Sequence, residues 1–191
     1  MAKKRLLLHA CCGPCSTQVI ETLKPEFDVT LFFYNPNIYP QEEYRRRLSA
    51  MKKVAKEWKL SLIVEEHNPK IWMEYVKGAE KEPEGGKRCE LCFRHRLEKT
   101  AEFAKKNNYD FFGTTLTISP SKDSTLINEI GKKLQQEYKV DFLERDFKKN
   151  DGYNKSVEFS KNLGLYRQKY CGCEYSMNIY SISSNEASPN E

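Results

Sequence analysis

The chain has 191 residues, 39% of them hydrophobic and 31% charged, with a formal net charge of +5. That length suits one domain with a core of its own, and no apolar run approaches the length that spans a bilayer. The modest positive charge permits a polyanionic partner without demanding one. The basic start, Met1 to Arg5, leads only into Leu6-Leu7-Leu8. This is too short for a secretory signal and suits a buried first strand, so a cytoplasmic protein without a membrane partner is expected.

In chain order, Arg5–Ala10 predicts the first strand and Cys15–Leu23 the first helix, followed by a β-branched and aromatic strand at Phe27–Tyr34. Within Gln41–Lys59, Tyr44, Leu48, Met51, Ala55 and Trp58 recur at helical spacing. Leu60–Glu65 predicts a third strand, and a helix runs from Gly85-Gly86 to about Asn107. A strand at Tyr109–Thr115 precedes a helix with Leu126, Ile127, Ile130, Leu134 and Tyr138 on one face. Val140–Glu144 completes the strands, and a last helix, about Gly152–Leu163, stops at Gly164. Strand and helix alternate, so a doubly wound, mostly parallel, five-stranded α/β sheet of Rossmann-like type is expected, with ligands beyond the strands' carboxyl ends. Residues 1–180 read as a single metalloenzyme domain and the polar residues 181–191 as a disordered tail.

Seven cysteines fall in three groups: Cys11, Cys12 and Cys15; Cys89 and Cys92; Cys171 and Cys173. In a reducing compartment clustered cysteines bind metal or do redox chemistry more often than they staple a fold, and an odd number argues against complete pairing. The first group follows the first strand and opens a helix, whose positive end favours thiolates. Cys89 and Cys92, three apart, share one helical face. Gly172 lets the backbone bend closely between Cys171 and Cys173, which could also cycle as a strained dithiol/disulfide pair. A closed zinc site uses four ligands; seven exceed it, which favours an iron–sulfur site.

Polar residues at other strand ends could complete a pocket. After the fourth strand, Ser119 or Ser121 could cap a helix, and Lys122 and Asp123 are candidates for substrate contact, proton supply or an oxygen ligand to iron. Tyr34-Asn35-Pro36-Asn37 leaves the second strand at the same edge and also suits an ordinary turn. Arg45, Arg46, Arg47, Arg88, Arg94 and Arg96 lie near aromatics; phosphate contact would need such residues, with Tyr39 or Phe93 stacking on unpaired bases, although solvated helix face also explains them. His9 reads as a residue of the turn or one behind the ligands rather than as a ligand, and His67 and His95 as surface residues.

These motifs, HACCGPC at 9–15, RCELC at 88–92, TTLTISPSKD at 114–123 and CGCEYS at 171–176, together resemble the QueH family of epoxyqueuosine reductases. The resemblance implies a fold related to nucleotide-binding α-hydrolase-like proteins, a [4Fe–4S] cluster and an adjacent mononuclear iron. It implies reduction of the epoxide of epoxyqueuosine in the tRNA anticodon loop, at the wobble position, fed by a low-potential electron donor. Phe93 stands where the family pattern suggests tyrosine. Cluster ligands would be Cys11, Cys12, Cys89 and Cys92. Cys171 and Cys173, with Cys15, would hold the second iron or act as a redox pair, and Asp123 or Tyr175 would donate a proton. The rivals are an ATP-dependent tRNA-modifying enzyme such as a thiolase, which needs a Gly-rich loop this turn lacks, and a zinc-stabilised RNA-binding module.

Overall fold

The structure is a computed structural model, and it describes residues 2–177; the polar tail expected at 181–191 lies outside the described residues. Five parallel strands, β1 (Lys4–His9), β2 (Phe27–Phe33), β3 (Leu62–Val64), β4 (Phe111–Thr114) and β5 (Asp141–Phe142), form one sheet in the order β3-β2-β1-β4-β5. The helices are α1 (Gly13–Leu23), α2 (Gln41–Glu57), α3 (Pro69–Tyr75), α4 (Lys87–Lys106), α5 (Ser124–Tyr138) and α6 (Gly152–Asn162). A 3-10 turn, Leu116–Ile118, follows β4.

Strand periodicity decides which helices cover which face. Leu6, Leu8, Val29, Leu31 and Phe33 pack with Val19, Ile20, Met51 and Val54, so α1 and α2 cover one side, and α6 lies against α1. Leu7, Phe32, Phe112 and Phe142 point the other way, onto Leu97 and Ala101 of α4 and Ile127 and Leu134 of α5. Both faces are therefore apolar, as a parallel sheet covered on both sides requires.

β3 and β5 are shorter than their apolar runs. Backbone bonds from Leu31 N to Ser61 O and Glu65 N to Phe33 O extend the pairing on either side of β3, and Leu143 N to Phe112 O does so beyond β5. The helix α3 is absent from the sequence reading because only Trp72 is buried, while Ile71 and Met73 face outward. Seven residues are too few for an amphipathic repeat. Its readable signal is its start: Asn68 accepts from Lys70 N at 3.2 Å, with Pro69 next. Gly164 has φ +57 just past the end of α6, the left-handed stop expected of it.

The order in which strands are added reverses between β1, the central strand, and its neighbour β4. Their carboxyl ends form the crevice where such sheets take ligands. Cys11 and Thr115 sit there, joined by Cys11 N donating to Thr115 Oγ1 at 3.3 Å.

Candidate metal centre

His9 ends β1, fully buried. Its Nε2 reaches the Tyr34 carbonyl at 3.2 Å, and its Nδ1 lies 3.0 Å from Thr114 Oγ1. A carbonyl only accepts, so the proton is assigned to Nε2, and Thr114 donates to Nδ1. Burial pushes the imidazole down to about 4, so it is neutral at pH 7. It ties the ends of β1, β2 and β4 together beneath the cysteines.

The first cysteine motif then turns directly into α1. Cys12 is the extended N-cap residue and Pro14 stands in the first turn. Gly13 lets the turn lie on α2: a Cβ there would be 2.9 Å from the Ala50 carbonyl carbon. As a result the ligand atoms of Cys11, Cys12 and Cys15 all lie within 4.8 Å of one another, a group that could hold a metal ion. Hydrogen bonds from the Cys12 and Cys15 thiols hold Cys11 well below the ordinary thiol range, assisted by the Lys122 charge and Thr115. Burial pushes Cys12 up to about 12, and the interaction with Cys11 raises Cys15. Of the three, Cys11 is the one its surroundings favour as thiolate.

The second motif opens α4. Gly85 N donates to Cys89 Sγ at 3.2 Å. Cys92 is buried with Trp72, Val76 and Cys173 in a small apolar cluster, and burial raises its thiol to about 11. Charge on Cys171 and Cys173 also acts on both Cys89 and Cys92, so the second and third motifs face each other. Cys89 belongs to the apolar cluster against which Cys11 packs. All seven cysteines are free.

The third motif is strapped to α2 by a buried cation. Arg47 donates to the carbonyls of Cys171 at 2.9 Å and Tyr170 at 3.1 Å, and pairs with Glu43 at 2.7 Å. Tyr166 donates to the same Glu43 at 2.5 Å. Gly172 has φ +121, and a Cβ there would meet Arg47 Nη1 at 2.8 Å. The bend expected at Gly172 is therefore a close approach of backbone to guanidinium.

A cavity of about 260 Å³ opens among these elements, bordered by Cys11, Cys15 and Cys171 and by the cations Arg47, Arg96 and Lys122. Burial opposes the charge of Lys122, but Cys171, Cys11 and Cys15 raise its ammonium to about 12. Arg96 is held by the Cys92 carbonyl at 3.3 Å and Asn35 Oδ1 at 3.4 Å. The reading of the arginines as solvated face holds for Arg45 and Arg46 but is corrected for Arg47, Arg88 and Arg96, which are buried. Arg88 closes the loop before α4 by donating to the Glu80 and Glu82 carbonyls. Half-exposed Arg94 pairs with Glu137 at 2.8 Å.

Other expectations change as well. Phe93 is only 4% exposed, which removes it as a stacking platform, whereas Tyr39 is exposed. Neither Ser119 nor Ser121 caps α5; Asp123 does, its Oδ1 accepting from Thr125 N at 2.8 Å and Leu126 N at 3.1 Å. Asp123 also borders a smaller cavity with Cys89, Lys122 and Cys171. Tyr175 packs against Trp72, with the Arg88 guanidinium 5.0 Å from its ring. His67 and His95, expected at the surface, are partly buried and partnered: His67 stacks on Tyr44 at 3.8 Å, and His95 Nε2 lies 2.9 Å from the Tyr34 hydroxyl. The residue the sequence reading missed is Gln168, whose amide donates to Cys12 Sγ at 2.9 Å. Lying 153 positions after Cys15, it carries no local signal.

Fold and site define a doubly wound α/β protein with a cysteine-rich centre at the switch point of its sheet. The chain belongs to the epoxyqueuosine reductase QueH family, a family of oxidoreductases, whose model matches residues 6–179. It is 41% identical over 183 residues to the epoxyqueuosine reductase QueH of Streptococcus pyogenes, covering 93% of this chain and 72% of that one. With the Thermotoga maritima reductase it shares 40% identity over 175 residues, covering 90% of each. The U34-tRNA thiolase NcsA from Methanococcus maripaludis, solved with its [4Fe–4S] cluster, superposes with a TM-score of 0.54 at 13% identity, over 97% of this chain and 67% of that one. A predicted tRNA methyltransferase subunit from Methanocaldococcus jannaschii gives 0.53 at 12% identity, over 82% and 76%. These two likenesses show the fold. No helix among the described residues is long and apolar enough to cross a membrane.

Proposed function

We propose that this chain reduces the epoxide of epoxyqueuosine at the wobble position of a tRNA anticodon loop, giving the cyclopentene of queuosine and water, in the cytoplasm. The observation that carries this is the gathering of cysteines from all three motifs about one buried guanidinium, Arg96, which also lines the cationic cavity, in a chain of this family. The donor set fits an iron–sulfur group: the sulfurs are free, and the buried Arg96 guanidinium interacts with Cys92, Cys171, Cys11 and Cys89. Buried cations offset the negative charge that thiolate ligation brings into an enclosed site.

In this proposal Cys11, Cys12, Cys89 and Cys92 hold a [4Fe–4S] cluster, supported by the packing of Cys11 against the cluster of side chains that contains Cys89. Cys171 and Cys173, with Cys15, hold the additional iron or cycle as a dithiol/disulfide pair. When bound, the cluster supplies electrons singly from a low-potential donor, and the iron offers a Lewis-acid position. The protein's own groups do the rest. Lys122 keeps a positive charge where the epoxide oxygen becomes anionic, and Asp123, at the edge of the smaller cavity, or Tyr175 relays a proton.

Anaerobic reconstitution tests the reading. A brown protein bleached by dithionite, which converts epoxyqueuosine-containing tRNA, is expected. A colourless, zinc-rich protein, or a loaded one without conversion, would refute it. In single Cys→Ser variants assayed for iron and sulfide, loss of the cubane should follow Cys89 and Cys92 but not Cys173.

A further inference from the structure

Three enclosed polar atoms on residues lining the 260 Å³ cavity have no hydrogen-bond partner: Asn37 Oδ1, Gln168 Oε1 and Arg96 Nη2. Such atoms are costly when shielded from water, so three around one cavity point to polar partners that fill it. Their chemistry is set by their neighbours. Gln168 donates its Nε2 to Cys12 Sγ at 2.9 Å, so the amide turns its oxygen, an acceptor, away from the sulfur. Arg96 has spent Nε and Nη1 on the Cys92 carbonyl and Asn35 Oδ1, leaving Nη2 as a charged donor. Asn37, 2% exposed, stands two residues beyond Asn35, which is itself fixed by donating to the Ala10 carbonyl at 2.9 Å.

Two acceptors and one donor discriminate among ligands. A phosphate or carboxylate would satisfy Arg96 but set oxygen against the oxygens of Asn37 and Gln168. An ammonium would satisfy those oxygens but face Arg96 and Lys122. A hydroxyl both donates and accepts, and a pair of them serves all three atoms.

We propose that Asn37, Gln168 and Arg96 form a recognition subsite for vicinal hydroxyl groups, those on the five-membered ring of the modified base. This rests on the functional reading above. Asn37 and Gln168 accept from the ring hydroxyls while Arg96 donates to them, which holds the carbocycle beside the cysteines. A site built on hydroxyl contacts rejects analogues that lack them, because its polar groups are then left unpaired.

The test uses cluster-loaded protein and anticodon stem–loops, with fluorescence anisotropy as the readout. Queuosine, the product, keeps both ring hydroxyls, so binding is read without turnover. Wild type is expected to bind a queuosine loop about tenfold or more tighter than a loop bearing the 7-aminomethyl-7-deazaguanine base without the ring. Asn37→Leu, with wild-type iron content, should reduce that preference severalfold, and Asn37→Asp, which keeps an acceptor oxygen, should retain most of it. A 2′-deoxyribose at the wobble position separates ring hydroxyls from ribose hydroxyls and should leave the preference intact. The assignment is overturned if a wild type that reduces the epoxide shows no preference, if Asn37→Leu keeps it, or if it follows the ribose. A loaded wild type that reduces nothing instead removes the functional reading, and this assignment with it.

Discussion

Arg47→Met isolates the strap that presents the third cysteine motif. The wild-type side chain is 3% exposed, its Glu43 partner 7%, and their separation is 2.7 Å. Methionine fills comparable volume but abandons Glu43 to the single bond from Tyr166 and frees the Cys171 and Tyr170 carbonyls. Breaking a buried pair from one side costs about 3–5 kcal/mol, chiefly because the remaining charge stays buried. With a urea slope of about 2 kcal/mol/M for a protein of this size, the midpoint should fall by about 2 M. The assay is urea unfolding of metal-free protein followed by circular dichroism, with iron content after reconstitution measured separately. Loss of iron is expected at residues 171–173 even in conditions where the variant is folded, because the loop has lost its anchor. Adding Glu43→Gln should recover part of the stability by removing the stranded carboxylate, but not the iron. A single variant that loses less than about 1 kcal/mol and loads fully would refute the strap as described.

Two further outcomes are expected. Gly172→Ala combines a left-handed φ of +121 with a Cβ 2.8 Å from Arg47 Nη1; a cost of about 2–3 kcal/mol and a melting temperature lower by about 5–10 °C should appear in calorimetry, with reduced iron. Burial, aided by Arg96 and Lys99, lowers the folded-state pKa of His95 to about 4 from its usual 6.5. Between those values the unfolded chain binds the proton and the folded chain does not, so stability falls as pH drops through that window. Urea midpoints at pH 7.5, 6 and 5 should decline in wild type and decline less in His95→Gln; parallel declines would rule the histidine out.

Much of the fold was legible in the chain because its causes are local. Alternating apolar faces in Leu6-Leu7-Leu8 and Phe27–Tyr34, helical spacing in Gln41–Lys59 and the stop at Gly164 each follow from periods of two and 3.6 and from a left-handed cap. The short α3 was hidden because it buries Trp72 alone. The arginines are not separable by sequence for a related reason: Arg46 and Arg47 are chain neighbours of identical chemistry, and only packing against Glu43 and residues 170–171 separates an exposed one from a buried one.

The cysteine motifs themselves, their number and their place at strand and helix ends, were determined by sequence alone. Which side chains complete the centre was not. Gln168 reaches Cys12 across the whole chain, Arg96 enters from α4, and Asn37 arrives on the loop after β2. These meet only because a parallel sheet brings every strand's carboxyl end to one edge. Ligand chemistry is carried by residue type, which sequence displays, whereas the charges and hydrogen bonds acting on those ligands depend on distances that exist only once the sheet has closed.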